Sequence, residues 1–183
     1  MKKIIVFGGS GFIGSHVSDQ LSDNGYDVTV FDVKKSIYLQ DSQKFVQGNI
    51  CNKEDVENAV KGMDIVYHFA AVADIKESIK FPLKTAEMNI IGTINILNAC
   101  VKFNINRFIF SSSIYVYSDH GSFYRVSKQS AELFIENFSK EFGLNFTILR
   151  YGSLYGTRAN EFNFVHNSIK SALTNKKIIR NGD

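Results

Sequence analysis

Tyr124 and Lys128 stand four residues apart in the stretch SSSIYVYSDHGSFYRVSK, which runs from Ser111 to Lys128. On a helix that spacing brings both side chains to one face. A free phenol ionises near pH ~10, too high for a base at neutral pH, and a neighbouring ammonium stabilises the phenolate and lowers that value. Such a pair can take a proton from a hydroxyl group. Ser113 lies eleven residues before Tyr124, just past the end of a predicted strand. The competing reading is an ordinary amphipathic helix after a polar strand end, because Tyr-x-x-x-Lys pairs are frequent on helix surfaces.

A second constellation opens the chain. In IIVFGGSGFIGSHV a glycine-rich turn directly follows one predicted strand and begins a predicted helix, with Gly8, Gly11 and Gly14 or Gly9, Gly11 and Gly14 in register. Glycine there gives a tight turn, close backbone approach to a pyrophosphate and close helix–strand packing, and the helix start offers free N–H groups to the anion. Asp32 ends the next predicted strand, 18 residues after Gly14, where a carboxylate can accept hydrogen bonds from ribose hydroxyls. Lys34 and Lys35 could accommodate a 2′-phosphate, but Asp32 would repel it, so NAD is favoured over NADP.

The elements that must position these groups alternate regularly. Short β-branched or aromatic runs at 3–7, 27–31, 44–47, 65–69, 107–111, 145–150 and 177–179 read as strands. Helical patterns fall at 12–23, 53–61, 83–103, 124–142 and 162–174. Runs as continuously apolar as IIVF and FIF suit a sheet buried on both faces, and the alternation implies parallel βαβ units. The single proline, Pro82, marks the entry to the long helix. The expected fold is a doubly wound α/β parallel sheet with helices on both faces.

Bulk properties exclude little but exclude it cleanly. The 183 residues are enough for one domain with a sizeable core, and a net charge of +3 with dispersed cations gives no reason to expect nucleic acid. Cys51 and Cys100 lack metal-ligand spacing and suit a reduced cytoplasmic protein, so no metal is expected. No apolar run approaches membrane length, and none is expected to bind a membrane.

Taken in order, GGSGFIG (8–14), FD (31–32), GNI (48–50), DIVYHFAA (64–71), NIIGTINIL (89–97), SSSIYVY (111–117), YRVSK (124–128) and RYGSLYG (150–156) cover almost the whole chain. The sequence resembles the extended short-chain dehydrogenase/reductase family, in particular its UDP-glucose 4-epimerase-like nucleotide-sugar epimerases and dehydratases. The resemblance implies a Rossmann sheet. Gly8, Gly11, Phe12, Ile13 and Gly14 would hold the pyrophosphate, and Asp32 the ribose. Asn49 and Ile50 would border the adenine, although the family usually has Asp at the first of these. Phe69, Ala70 and Ala71 would lie beneath the cofactor, and Asn89 near the active-site face. Ser111 and Tyr151 would also line the cofactor. Lys128 would bind the nicotinamide ribose and Tyr124 would be the base, with Ser113 orienting the reacting oxygen.

Two features depart from the family. The segment between serine and tyrosine is usually longer, which implies a more open active-site wall. Relatives also continue into a smaller substrate-binding region, of which about 157–183 would be only the start, leaving it largely missing from a dinucleotide-binding domain over 1–183. Where a 4,6-dehydratase presents an Asp-Glu pair, this chain has Ile114 and Tyr115, which disfavours dehydration. The resemblance therefore implies an NAD-dependent nucleotide-sugar epimerase. The alternatives are a keto-sugar reductase and a non-catalytic dinucleotide-binding sensor or scaffold. A homodimer would pack the 83–103 and 124–142 helices through Ile90, Ile94, Leu97, Leu133 and Phe134, or else those residues belong to the chain's own core.

Overall fold

A computed structural model describes residues 1–160 and 163–178 of the chain. They divide into two compact units, Met1–Tyr151 and the described residues from Gly152 onward. The first is a six-stranded sheet built from β1 (Lys3–Phe7), β2 (Asp27–Asp32), β3 (Lys44–Gln47), β4 (Ile65–His68), β5 (Arg107–Ser113) and β6 (Phe146–Tyr151). Every pairing is parallel, in the order β3-β2-β1-β4-β5-β6. The order reverses direction between β1 and β4, and in such sheets the crevice beyond the strand ends at that point receives ligands. This is the expected doubly wound Rossmann sheet.

Strand alternation divides the core. Ile4 and Val6 of β1 pack on one face with Val28, while Ile5 and Phe7 pack on the other with Phe31, Val56, Ile96, Ala131 and Ile135. Burying one such Phe or Ile completely contributes about 1.5–3 kcal/mol. Both faces of β1 are therefore apolar because helices cover both: α1 (Phe12–Asp23) on one side, and α2 (Lys53–Val60), α5 (Gly92–Lys102) and α6 (Ser122–Phe142) on the other.

The helical layer differs from the expectation in three places. A short α3 (Ile75–Lys80), capped by Asp74 Oδ1 accepting from Lys76 N at 2.8 Å, precedes the long helix and carries too few residues to show a period. The long helix starts at Pro82 and runs as α4 (Pro82–Ala86), a π-turn at Glu87–Ile91 and α5. Such a widened turn re-aims a side chain, here Asn89. Third, Leu97 is wholly buried in the chain's own core, whereas Leu133 and Phe134 of α6 are exposed at 60% and 41%. Leu97 thus leaves the docking face expected for a homodimer.

The second unit's described part holds α7 (Phe164–Asn175), capped by Asn163 Oδ1 accepting from His166 N at 3.0 Å. Of the strand expected at 177–179, Lys177 and Ile178 are not in a strand and Ile179 lies outside the described residues. The start of the 162–174 helix at Phe162 also lies outside them.

Candidate nucleotide-binding and acid–base site

The predicted residues gather at one edge of the sheet, because parallel strands present all their C-terminal ends together. β1 runs into Gly8, β2 ends at Asp32, β4 runs into Phe69–Ala71, β5 ends at Ser113 and β6 at Tyr151.

At the switch point the glycine loop is held from below. Gly8 N donates to Phe31 O at 2.9 Å and Gly11 N to Gly8 O at 3.1 Å, and Phe69 N and Ala70 N both donate to Phe7 O. Gly8 needs its residue type twice over: its φ is +75°, and a Cβ there would lie 2.4 Å from Ala70 N. A Cβ on Gly14 would lie 2.2 Å from Gly8 O, so α1 can approach the loop this closely only with glycine. Gly11 caps α1 with no side-chain hydrogen bond. The first-turn N–H groups of Phe12, Ile13 and Gly14 are thus left for an external acceptor. Asp32 Oδ2 accepts from Ser10 N at 3.1 Å and Oδ1 from Val33 N at 2.7 Å, which fixes the carboxylate against the loop.

A cleft of about 220 Å³ opens beside this loop, lined by Gly8, Gly11, Asp32, Ile50, Phe69, Ala70, Ala71 and Met88 among others. The buried Ser10 hydroxyl has no protein partner. An anion-receptive helix start, an orphaned hydroxyl, a fixed carboxylate and an apolar slot fit the adenosine and diphosphate groups of a dinucleotide. Asn49 is exposed between two lining residues, Gly48 and Ile50. Its Oδ1 accepts from Cys51 N at 2.9 Å, leaving its Nδ2 donors for a base edge. Ser113, Tyr124, Lys128, Ser111 and Tyr151 do not line the cleft and belong to the next segment of the same edge.

There, the Ser113 hydroxyl comes near enough to the Tyr124 phenol to favour its ionised form. The shortened connection achieves this with a 3₁₀ turn at Ile114–Tyr117 and a sharp reversal in which Gly121 has φ +100° and Ser122 φ +47°. α6 begins at Ser122, so Tyr124 lies in its first turn, and its N–H donates to Ser78 Oγ at 3.2 Å. Lys128, one turn on, is almost completely buried. Its Nζ donates to Ser111 O at 2.8 Å, 4.7 Å from the Phe110 ring centre and 5.9 Å from that of Tyr124. Burial brings the ammonium down to about 7, against the opposing pull of Glu132. Burial also raises the phenol of Tyr124; the Ser113 hydroxyl opposes this and Tyr115 adds to it. The expected lowering of the phenol's pKa joins the positive nicotinamide to Lys128; in the chain alone, burial is the largest influence on the phenol. Desolvation dominates.

Asn89 reaches the site through backbone. Its Oδ1 accepts from Val72 N at 2.8 Å, and its Nδ2 donates to Val72 O at 3.0 Å and Ser127 Oγ at 2.9 Å. Both amide hydrogens are spent, so Asn89 ties the segment after β4 to the helix bearing Tyr124. Behind it, Thr93 Oγ1 donates to Asn89 O at 2.7 Å and lies 3.0 Å from His68 Nε2. With its one hydrogen used, Thr93 can only accept from His68, which fixes the Nε2–H tautomer. Burial lowers the His68 pKa to about 3, with Lys128 adding to the effect, so the ring is neutral.

Ser78, His68, Thr93, Ser127, Glu132 and Arg150 all act here, and none stood out in the sequence. His68, Glu132 and Arg150 are polar residues between apolar or aromatic ones, a signal shared with many ordinary half-buried sites. Ile114 and Tyr115 sit exposed in the 3₁₀ turn. Among the described residues no group of His, Cys, Asp and Glu could hold a metal ion, and no helix is long and apolar enough to cross a membrane.

Fold and site together define a Rossmann-type α/β protein with a glycine cradle and a Ser–Tyr–Lys set along one sheet edge. A profile of the NAD dependent epimerase/dehydratase family matches residues 4–183, and the chain belongs to that family. A putative UDP-glucose 4-epimerase of Methanocaldococcus jannaschii is 34% identical over 173 residues, covering 85% of this chain and 57% of the relative. The crystal structure of UDP-glucose 4-epimerase with UDP-glucose from Thermotoga maritima superposes with a TM-score of 0.92 at 32% identity, over 99% of this chain and 66% of that one. The UDP-glucose 4-epimerase of Thermus thermophilus in complex with NAD gives 0.84 at 29% identity, over 93% and 61%. The chain thus spans about three fifths to two thirds of the length of these relatives.

Proposed function

We propose that this chain is the cofactor-binding part of an NAD-dependent nucleotide-sugar 4-epimerase, with NAD across the switch point and a UDP-sugar as substrate. The reading rests on one observation: the glycine cradle with its fixed Asp32 and the neighbouring Ser113 and Tyr124 lie along the same sheet edge. NAD in the Thermus thermophilus relative and UDP-glucose in that of Thermotoga maritima support it. Glycine 8, 11 and 14 with the α1 start would hold the pyrophosphate, Asp32 the adenosine ribose, and Lys128 the nicotinamide ribose. Bound there, NAD supplies reversible hydride acceptance at the sugar carbon.

The protein's own residues move the proton. Ser113 Oγ orients the reacting hydroxyl, and the Tyr124 oxygen accepts its proton and later returns it. Tyr124 lies in the first, partially positive turn of α6, and Lys128 in its protonated form adds a positive charge nearby. Ile114 and Tyr115 leave no carboxylate for elimination of water, which supports epimerisation over dehydration. Residues from about 157 onward would begin the substrate-binding region. The two free thiols, Cys51 and Cys100, suit the cytoplasm. We extend the reading to a homodimer through Leu133 and Phe134 of α6.

Calorimetry with NAD and NADP tests the cofactor reading; a folded chain that binds neither would sink it. Interconversion of UDP-sugars, followed by a coupled assay in wild type and Tyr124→Phe, tests the chemistry. Loss of about 10²–10⁴-fold in rate is expected for removal of the proton-transfer group, and equal rates would remove Tyr124 from the mechanism.

A further inference from the structure

A buried carboxylate outside the Ser–Tyr–Lys set joins four segments of this edge. Glu132 of α6 is 6% exposed. Its Oε1 accepts from Ser112 Oγ and from Arg150 Nε at 3.0 Å, and its Oε2 accepts from Arg150 Nη2 at 2.8 Å. Arg150 lies opposite Ser112 in the β5–β6 register. The same guanidinium donates to the Tyr117 hydroxyl and stacks 4.9 Å from the Tyr117 ring centre. Glu132 is also one helical turn beyond Lys128, on the same face of α6. Two consecutive residues of β5 are therefore gripped from two consecutive turns of α6: Ser111 through its carbonyl by Lys128, and Ser112 through its hydroxyl by Glu132. The next residue is Ser113.

We propose that Glu132 is a positioning residue of the site: it fixes the strand end that carries Ser113, and it supplies the negative charge that favours the ionised form of buried Lys128. The proposal rests on the assignment of Lys128 to the site, but not on any reaction. A carboxylate so buried would be costly alone, and the bidentate Arg150 offsets that cost from the solvent side. Lys128 is faced on its own helix by Glu132 and Tyr124, from β4 by His68, and from β5 by the uncharged Ser111 carbonyl and the Phe110 ring. Glu132 is the one acidic neighbour that favours the charged form of Lys128; His68 is neutral. Arg150 withdraws part of that support by neutralising Glu132. The two partners thus act on Lys128 with opposite signs.

Opposite signs make the test specific. The midpoint of Lys128 in the full chain, without added ligand, is read by NMR from its side-chain Cε resonance across pH 5–10. Lys128→Arg identifies the signal. In Glu132→Gln the midpoint is expected to fall by roughly one pH unit. In Arg150→Gln, whose site is partly exposed and which leaves the core intact, it is expected to rise. Ser112 is expected to lose amide-exchange protection in Glu132→Gln and regain it in Glu132→Asp. Unchanged Lys128 midpoints in both variants, or shifts of the same sign, would overturn the proposal and leave Glu132 a packing element. Should Glu132→Gln not fold, Arg150→Gln alone decides the matter: no rise refutes it. NAD titration of the same samples separates this outcome from failure of the cofactor assignment, since wild type that binds no NAD can still show the Lys128 shifts.

Discussion

Gly11 and Gly14 belong to the same loop, yet the geometry assigns them different costs, and substituting each by alanine separates folding from binding. A Cβ on Gly14 would stand 2.2 Å from Gly8 O and 2.8 Å from Gly9 Cα, all of it backbone that cannot rotate aside. Contacts below 3.0 Å are essentially never seen, so α1 must retreat from the loop by close to 1 Å. Overpacking of this kind costs about 1–3 kcal/mol. At roughly 2–4 °C per kcal/mol for a chain of this size, Gly14→Ala should melt about 2–12 °C below wild type. Gly11 differs: its Cβ would meet only Gly8 O, at 3.3 Å, and Gly11 sits exposed in extended conformation with φ −79° and ψ −179°. Gly11→Ala should therefore melt within about 2 °C of wild type. Its methyl group would nevertheless project where the diphosphate must touch backbone, and NAD affinity should fall at least ~10-fold, or about 1.4 kcal/mol. Calorimetric melting and NAD titration on both variants check this. A Gly14→Ala protein with unchanged melting, or a Gly11→Ala protein that binds NAD like wild type, would refute the geometric reasoning.

Two further outcomes follow from burial and exposure. His68 has a folded-state pKa of about 3, below its ordinary 6.5, so between those values the unfolded chain binds the extra proton and stability falls with falling pH, by about 1.4 kcal/mol per pH unit. Lys128 adds its own slope only from about 7 upward, where the unfolded lysine still holds its proton. Urea unfolding at pH 7 and pH 5 should thus lose about 2 kcal/mol more in wild type than in His68→Gln; equal losses would show that the ring does not titrate on unfolding. For the homodimer, Leu133→Glu with Phe134→Glu should halve the mass seen by sedimentation without lowering the melting temperature, and an unchanged mass would remove this face of α6 from the interface.

The sequence made the sheet legible because its strands are nearly unbroken apolar runs with turn residues between them. Asp32, Ser113 and Tyr151 were assigned to strand ends or just beyond, and each terminates its strand in the structure. What escaped were elements set by contacts between distant segments. α3 is too short for a period, and its Ser78 matters only because Tyr124 N lies 3.2 Å from its hydroxyl. The π-turn at Glu87–Ile91 leaves no trace in the helical pattern of the sequence. Ser112, Glu132 and Arg150 become a unit only through the β5–β6 register and the docking of α6.

The short link between Ser113 and Tyr124 changes meaning once its backbone is considered. Brevity forces the reversal into two successive residues of positive φ, and for Ser122 that is a strained conformation. The reversal starts α6 only two residues before Tyr124, so the phenol stands at the positive end of a 21-residue helix and within reach of Ser113. Burial works against its ionisation, while Lys128 is turned down onto Ser111. Tyr124 is thus placed for proton transfer but protonated at neutral pH by its surroundings. On the proposed reading, its activation comes from positive charge brought near it with the cofactor. Glu132, on the proposal above, has the complementary task of opposing the loss of charge on Lys128. The placement of Tyr124 beside Ser113 depends on the reversal at Gly121 and Ser122. Lengthening the link by a few residues before Gly121 should therefore leave Tyr124 beside Ser113. Replacing Gly121, whose Cβ would press within 3.0 Å of Arg125 and 3.2 Å of Tyr115 at φ +100°, should displace it.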